Sequence, residues 1–76
     1  MITVKLYGLL RLESGIREKQ LDAGTVKEVL TYLECCGIPK KDLGSCILLV
    51  NGKSANKRTN LQDGDTVVLM SPVAGG

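Results

Sequence analysis

The stretch that decides the fold of this chain is Thr25-Val26-Lys27-Glu28-Val29-Leu30-Thr31-Tyr32-Leu33-Glu34-Cys35-Cys36-Gly37. Thr25 and Glu28 have the spacing of a capping box, in which each side chain satisfies a backbone donor of the other residue. Apolar residues then recur at positions 26, 29, 30 and 33, the spacing that places one stripe along one helix face. Gly37 can end the helix in the left-handed conformation. We therefore predict a helix from about Val26 to Cys36 whose apolar stripe is core and packs on a sheet.

The sequence before this helix predicts two strands. Residues 2–6 alternate apolar and polar side chains, which is the pattern of a strand with one buried face. Residues 16–21 form a weaker and more polar run after Gly15, and they suit an exposed second strand. We expect the two strands to form an N-terminal hairpin.

The sequence after the helix predicts two further strands and two tight turns. Residues 47–50 are a continuous apolar run, as in a central strand, and Asn51-Gly52 predicts a type I′ turn because both positions need positive φ. The polar residues 53–60 leave room for one short strand. Asp63-Gly64-Asp65 is a second turn, and residues 66–70 are the last strand.

The order hairpin, helix, strand, turn, strand predicts an α+β domain. A helix and a sheet in so short a chain must cover each other to bury two apolar faces. The first and last strands can then lie side by side in parallel, with one main helix packed across a mixed sheet of four to five strands. This is the β-grasp, or ubiquitin-like, arrangement. We predict it for residues 1–70, with residues 71–76 as a flexible C-terminal tail.

The composition argues against several classes of protein. Apolar residues make up 43% of the chain, which argues against disorder. A lysine interrupts the first apolar run, unlike in a signal peptide, and no apolar stretch approaches the roughly 20 residues of a membrane span. A net charge of +2 and two aromatic residues give little basis for nucleic-acid binding. We expect a cytoplasmic protein that binds neither nucleic acid nor membrane.

The three cysteines, Cys35, Cys36 and Cys46, lack the pattern of a metal site. Adjacent cysteines do not have the spacing of a zinc knuckle or of a redox pair, and the sequence has no histidine. An odd number of cysteines also does not suit a disulfide framework. We interpret them as reduced thiols near a helix end and a strand start, with a reactive or sulfur-handling thiol as the alternative. We predict no metal site.

The candidate functional residues are the last five, Pro72, Val73, Ala74, Gly75 and Gly76. Glycine has no side chain to obstruct a backbone approach, so a tail ending in diglycine can enter a narrow slot in another protein. Pro72 limits the entropy lost on insertion, and Val73 offers an apolar anchor just outside the slot. We predict that Gly76 is the reactive residue and that the other four are recognised. The alternative is a frayed terminus without function.

The whole chain resembles the MoaD/ThiS sulfur-carrier family. Residues 61–76, Leu-Gln-Asp-Gly-Asp-Thr-Val-Val-Leu-Met-Ser-Pro-Val-Ala-Gly-Gly, are similar to the terminal signature of that family, roughly L-x-DGD-x-V-x-L-x-PPV-x-GG. Residues 50–52 match its V-N-G turn and residues 25–30 its T-V-x-E-L-L helix start. Residues 7–11 with Gly15 are similar to its F-A-x-L-R-E-x-x-G segment. The Pro-Val-Ala-Gly-Gly ending is more like the molybdopterin synthase branch than the thiamine branch.

Two positions depart from the pattern of the family. Ser71 stands where the family usually has the first of two prolines, which makes the tail slightly less stiff. Leu12 stands where the family commonly has an acid, and Glu13 follows one place later.

The resemblance implies a sulfur carrier, the small subunit of molybdopterin synthase, without catalytic residues of its own. An E1-like adenylating enzyme would use ATP and Mg²⁺ to activate Gly76, and a persulfide donor would convert it into a thiocarboxylate. The tail would then enter the large, MoaE-like synthase subunit or another sulfur acceptor enzyme. The resemblance implies no cofactor bound to the carrier itself.

Three alternatives remain open at this point. A thiamine-pathway carrier and a ubiquitin-like modifier joined to lysines through Gly76 would use the same activated carboxylate. A β-grasp binding module would not use the tail at all.

Partner docking also needs a surface, and the sheet face opposite the helix is the candidate. Leu48, Val68 or Met70 would contribute if they point outward, which depends on strand register. Arg11, near the first turn, is a candidate for pairing with an acidic patch of a partner.

Overall fold

The computed structural model describes residues 1–71, and the predictions for Pro72–Gly76 lie outside the described residues. The elements in chain order are β1 (Ile2–Tyr7), α1 (Leu9–Ser14), β2 (Glu18–Leu21), α2 (Val26–Cys35), α3 (Lys40–Ser45), β3 (Ile47–Val50), β4 (Lys53–Ser54) and β5 (Thr66–Met70).

Within residues 1–71, five strands form one mixed sheet in the order β2-β1-β5-β3-β4. The first and last strands pair in parallel at its centre, with Val4 opposite Val67 and Leu6 opposite Leu69. The other pairs of neighbouring strands are antiparallel. Because parallel neighbours cannot be joined by a tight turn, the chain between β1 and β5 forms the crossover that covers one face of the sheet. The predicted β-grasp arrangement is confirmed.

The core lies between the sheet and its helices and is entirely aliphatic. Three α2 residues of the predicted stripe, Val26, Val29 and Leu33, are fully buried, and Leu30 packs partly buried against them. The buried side chains that they join are Ile2, Val4, Leu6, Leu10, Ile38, Leu43, Leu61, Val67 and Leu69. Each side chain of this size stabilises the fold by about 1.5–3 kcal/mol when fully buried.

Local interactions at both ends of α2 agree with the sequence. The Glu28 backbone N–H donates to Thr25 Oγ1 at 3.3 Å, although the Glu28 carboxylate accepts from the Thr25 hydroxyl and not from the Thr25 backbone. The N–H groups of residues 26 and 27 donate to the carbonyls of Thr59 and Lys57, which satisfies two of the free donors in the first turn of the helix. At the other end Gly37, with φ of 106°, supports a Schellman motif. There the N–H groups of residues 37 and 38 bond the carbonyls of residues 34 and 33.

Two short helices were not predicted, and they change the N-terminal connection. β1 and β2 pair antiparallel as expected, but α1 lies between them, so the connection is not a tight hairpin. β2 begins at Glu18 and not at residue 16. A second short helix, α3, follows Pro39 and buries Leu43. Six-residue helices form through tertiary packing of one or two side chains, because isolated helices of this length are unstable.

The turn Asn51-Gly52 has positive φ at both residues, 52° and 82°, as a type I′ hairpin requires. The Asn51 side chain also connects this turn to the start of β5. Its amide donates to Asp65 Oδ1 at 2.9 Å, and its carbonyl accepts from the Thr66 N–H at 3.0 Å. The Gln62 N–H donates to the other oxygen of Asp65 at 2.8 Å. These bonds, led by that from Gln62, lower the pKa of Asp65.

We expect Leu33→Ala to lower the free energy of unfolding by about 2–5 kcal/mol, because it leaves a cavity at the fully buried centre of α2. The matched control is Leu12→Ala on α1. Because the Leu12 side chain is 80% exposed, its truncation should change the stability by less than about 0.5 kcal/mol. Urea unfolding followed by circular dichroism measures both. Equal losses of unfolding free energy in the two variants would contradict the burial of Leu33 in the core.

We expect part of the stability of the domain to depend on ionised Asp65. Because the pKa of Asp65 is lowered by folding, its contribution is present above the ordinary aspartate pKa of about 4 and is lost as the pH falls through the lowered value. Asp65→Asn should therefore be less stable at neutral pH and lose less stability on acidification. Urea midpoints at a series of pH values measure this, with Asp22→Asn as the control. If the urea midpoint of Asp65→Asn changed with pH as much as that of the parent chain, Asp65 would not be the source of this pH dependence.

Candidate functional site

The tail begins at the end of the central strand β5. The predicted site residues Pro72, Val73, Ala74, Gly75 and Gly76 lie outside the described residues, so the site is described here from the residue that precedes them, Ser71. β5 pairs with both β1 and β3, and Met70 lies opposite Tyr7 on one side and Ile47 on the other. The point from which the tail leaves is therefore fixed by two strand partners.

Ser71 contacts the start of α1, 62 positions away along the chain. Its hydroxyl accepts a hydrogen bond from the Leu9 backbone N–H at 2.9 Å, so Ser71 satisfies one of the free donors at the first turn of that helix. Gly8, which precedes α1, has φ of 67° and ψ of −139°, a conformation essentially restricted to glycine. A Cβ at Gly8 would also collide with Ser71 Oγ in the position from which that oxygen accepts the Leu9 N–H.

The strand register assigns an apolar patch to the sheet face turned away from α2, which we call the outer face. Side chains alternate between the two faces along each strand, and Val4, Leu6, Val67 and Leu69 are buried on the α2 side. Their strand neighbours therefore lie on the outer face. We define the apolar patch as Tyr7, Ile47, Leu49, Val68 and Met70, which are adjacent in the register.

The members of the apolar patch are incompletely covered by the described residues. The side chains of Tyr7 and Ile47 are each 44% exposed, and Leu49, Val68 and Met70 are half-buried. Tyr7, Met70 and Ile47 lie side by side across three strands, and Met70 is followed in the chain by Ser71. The tail therefore starts at the border of a partly exposed apolar surface, a combination typical of a protein-binding site.

The register decides which of the three candidate contact residues face outward. Val68 and Met70 lie on the outer face, whereas Leu48 is opposite Leu69 and packs against the core on the α2 side. Tyr7 and Ile47 were missed as members of the patch. The alternation of β1 alone indicated the outward position of Tyr7, whereas the continuous apolar run 47–50 carried no signal for which residues face outward.

Arg11 and Leu12 both lie on α1 and are exposed. Arg11 lies near Tyr7, at the edge of the outer face, and both side chains line the same depression. Leu12, at 80% exposure, is the most exposed of the large apolar side chains in residues 1–71.

The cysteines occupy the predicted places. Cys35 is the last residue of α2, Cys36 follows it, and Cys46 immediately precedes β3; all three are free thiols. Burial raises the pKa of the Cys46 thiol, which donates to the Leu43 carbonyl at 3.0 Å. The hydrogen bond with Cys36 raises the pKa of Tyr32. A neutral Cys46 thiol is a poor nucleophile, so these contacts favour the structural interpretation for that cysteine.

In the part of the chain that the structure describes, no three cysteine or carboxylate side chains come together as metal ligands would. No helix within residues 1–71 is long and apolar enough to cross a bilayer.

Comparison with known proteins agrees with this geometry. A family model described as the ThiS family matches residues 4–76. Among curated proteins, no sequence matches the chain.

Solved structures of the same fold cover nearly the whole chain. The crystal structure of SAMP1 from Haloferax volcanii is 26% identical with a TM-score of 0.83, covering 99% of this chain and 98% of that one. The solution structure of small archaeal modifier protein 1 from Methanosarcina acetivorans is 28% identical with a TM-score of 0.82, covering 99% and 95%. A chain in the complex of subunits 1 and 2 of molybdopterin-converting factor from Helicobacter pylori is 28% identical with a TM-score of 0.72, covering 99% and 97%.

We expect Gly8→Ala to lower the free energy of unfolding by about 1–3 kcal/mol, because the new Cβ strains the backbone and collides with Ser71 Oγ. In a Ser71→Ala background the same substitution should cost less, because the colliding oxygen is absent. The control is Gly44→Ala in α3, which has open space for a Cβ and should leave the stability unchanged or raise it. Chemical unfolding of the four-member mutant cycle measures the coupling. Additive effects would exclude the contact between Gly8 and Ser71.

Proposed function

The chain belongs to the ThiS family of small ubiquitin-like carriers, and on that premise we propose that it carries sulfur as a thiocarboxylate on Gly76. We propose further that it is the small subunit of a molybdopterin synthase and donates this sulfur in molybdenum cofactor biosynthesis. The observation that carries the proposal is the family match, because it extends over residues 4–76 and so includes the diglycine.

The chemistry of the proposal divides between this chain and its partners. A carboxylate is a poor electrophile, so an E1-like enzyme with ATP and Mg²⁺ activates it first. A Gly76 carboxylate oxygen attacks the α-phosphorus of ATP, and pyrophosphate leaves. The terminal sulfur of a persulfide donor then attacks the acyl carbon, and AMP leaves. A second thiol cleaves the resulting acyl disulfide, which frees the thiocarboxylate and leaves the donor as a disulfide.

The role of this chain is to present the tail. β5, held between β1 and β3, fixes the position of Ser71, and the hydrogen bond from Leu9 adds a third attachment. In the proposal, the apolar patch on the outer face docks on the protein that takes the tail, while Pro72–Gly75 pass through its slot. Burying this patch supplies binding free energy outside the slot, so the diglycine itself needs no side chains for recognition.

The acceptor of the sulfur is the finer part of the proposal. The likeness to a chain in the complex of molybdopterin-converting factor subunits supports a partner of the large-subunit type. The ending of the sequence, Pro-Val-Ala-Gly-Gly, supports the same branch. Donation to thiamine synthesis uses the same thiocarboxylate and differs only in the acceptor enzyme.

A second candidate function is that of a protein modifier. The two similar structures of small archaeal modifier protein 1 have the higher TM-scores, 0.83 and 0.82, and cover almost the whole chain. In this function a lysine amine of a target attacks the activated Gly76 carbonyl, and AMP or a thiol leaves. Covalent adducts of the chain with several cellular proteins favour a modifier, and one stable non-covalent partner favours a synthase subunit.

We expect incubation with an E1-like enzyme, ATP, Mg²⁺ and a persulfide donor to replace one oxygen of the chain by sulfur. Intact mass spectrometry should show that mass difference, and fragmentation should locate it on Gly76. Gly75→Ala should reduce the modified fraction at least about tenfold, because a Cβ obstructs a slot built for glycine. Gly44→Ala is the matched control and should be modified normally.

No mass change, with the activating enzyme proven active on its own carrier, would contradict the sulfur-carrier proposal. Normal modification of Gly75→Ala would contradict the slot and leave the carrier function standing.

A further inference from the structure

A depression of about 290 Å³ lies where β1, β2 and α1 meet, and its lining is strongly cationic. Its residues are Lys5, Leu6, Tyr7, Arg11, Arg17 and Glu18. We call it the basic pocket. It brings together three cationic residues from three different segments and one tyrosine, against one acidic residue. No sequence run reveals this cluster, because residues 12–16 separate the two arginines and Lys5 lies on β1.

The cations of the basic pocket lack a partner among the described residues. The ion pair found within residues 1–71 joins the Met1 ammonium to Asp63, at the opposite end of β1. Lys5 and Glu18 are opposite each other in the β1–β2 register, yet no carboxylate oxygen of residues 1–71 lies within 4.0 Å of the Lys5 ammonium or of either arginine. Three adjacent cations repel one another, so an anion placed among them is attracted by all three.

The basic pocket adjoins the apolar patch. Tyr7 belongs to both, and Lys5 lies on the outer face directly opposite Val68 of the patch. A partner that covers Tyr7 and Met70 can therefore bring neighbouring side chains of its own to Arg11 and Arg17. Arginine is suited to that position, because its planar fork binds a carboxylate in two hydrogen bonds.

We propose that the basic pocket binds the carboxylates of an acidic segment on the protein that takes the tail, beside apolar side chains that cover the patch. The proposal rests on the proposed function only in naming that protein as the partner. Glu18 reduces the formal charge of the lining from +3 to +2, which still favours an anionic partner. The contact adds specificity and speeds association more than it adds affinity, because its charges are at the protein surface.

The first experiment uses a peptide that contains both features, acetyl-Leu-Glu-Asp-Leu-amide, and its neutral twin, acetyl-Leu-Gln-Asn-Leu-amide. Titration into ¹⁵N-labelled chain should shift the backbone amide signals of Lys5, Tyr7, Arg11 and Arg17 with the acidic peptide far more than with the neutral one. The double variant Arg11→Gln/Arg17→Gln should bind the acidic peptide about threefold to tenfold more weakly, as expected for two exposed ion pairs. Arg58→Gln, which removes an exposed cation from a distant turn, is the matched control and should bind normally.

Three results would overturn the proposal. Equal shifts with both peptides would remove the role of the carboxylates. Inorganic phosphate that produced the same shifts at the same concentration would reduce the pocket to a general anion site. Acidic peptide binding seen only after deletion of residues 72–76 would make the chain's own terminal carboxylate the occupant. The amide spectrum of the double variant reports its folding in the same experiment.

The second experiment uses the activating enzyme of the mass-spectrometry test. The double variant should raise its KM for the carrier about threefold to tenfold with kcat unchanged, whereas Arg58→Gln should change neither. The peptide titration needs no thiocarboxylate, so it distinguishes failure of this proposal from failure of the sulfur-carrier proposal. A lowered kcat with unchanged KM would also contradict a docking role.

Discussion

The parallel pairing of β1 with β5 is the constraint on which the rest of this structure depends. It joins the two ends of the described chain at the centre of the sheet, with Val4 beside Val67 and Leu6 beside Leu69. Parallel neighbours require a crossover, and here the crossover contains α2, whose apolar stripe covers these four residues. A domain of 76 residues buries a smaller fraction of its unfolded surface than a larger domain does, so its stability depends on this single core.

The same pairing produces both parts of the candidate site. Residues that alternate with the core positions on β1, β5 and β3 form the apolar patch, and Met70 at its border leads directly into Ser71. Gly8 and Ser71 then bring α1 against the end of β5, which places Arg11 beside Tyr7. The fold thus supplies a docking surface and a fixed point of departure for the tail, while partners supply the catalytic groups in the proposed chemistry.

Much of the fold was predictable, because local signals and long-range packing agree. The capping residue Thr25, the stripe on α2, the Schellman glycine and the Asn51-Gly52 turn each specify their own element. The short helices α1 and α3 were not predicted, because each depends on burying a single leucine under elements distant in sequence. The face on which Leu48 lies was left open, because a continuous apolar run has no alternation from which to read its register.

The sequence by itself determined the main helix α2, the strands β1, β3 and β5 and the Asn51-Gly52 turn. Apolar residues spaced by two or in a short continuous run indicate the strands, and apolar residues spaced by three and four indicate the helix. These patterns and the turn chemistry act over short stretches of chain. Only the tertiary structure decided which side chains share a surface. The apolar patch combines three strands, and the basic pocket combines residues from β1, α1 and the start of β2. Such groupings depend on strand register and on where a short helix packs, and both are settled by contacts between distant parts of the chain.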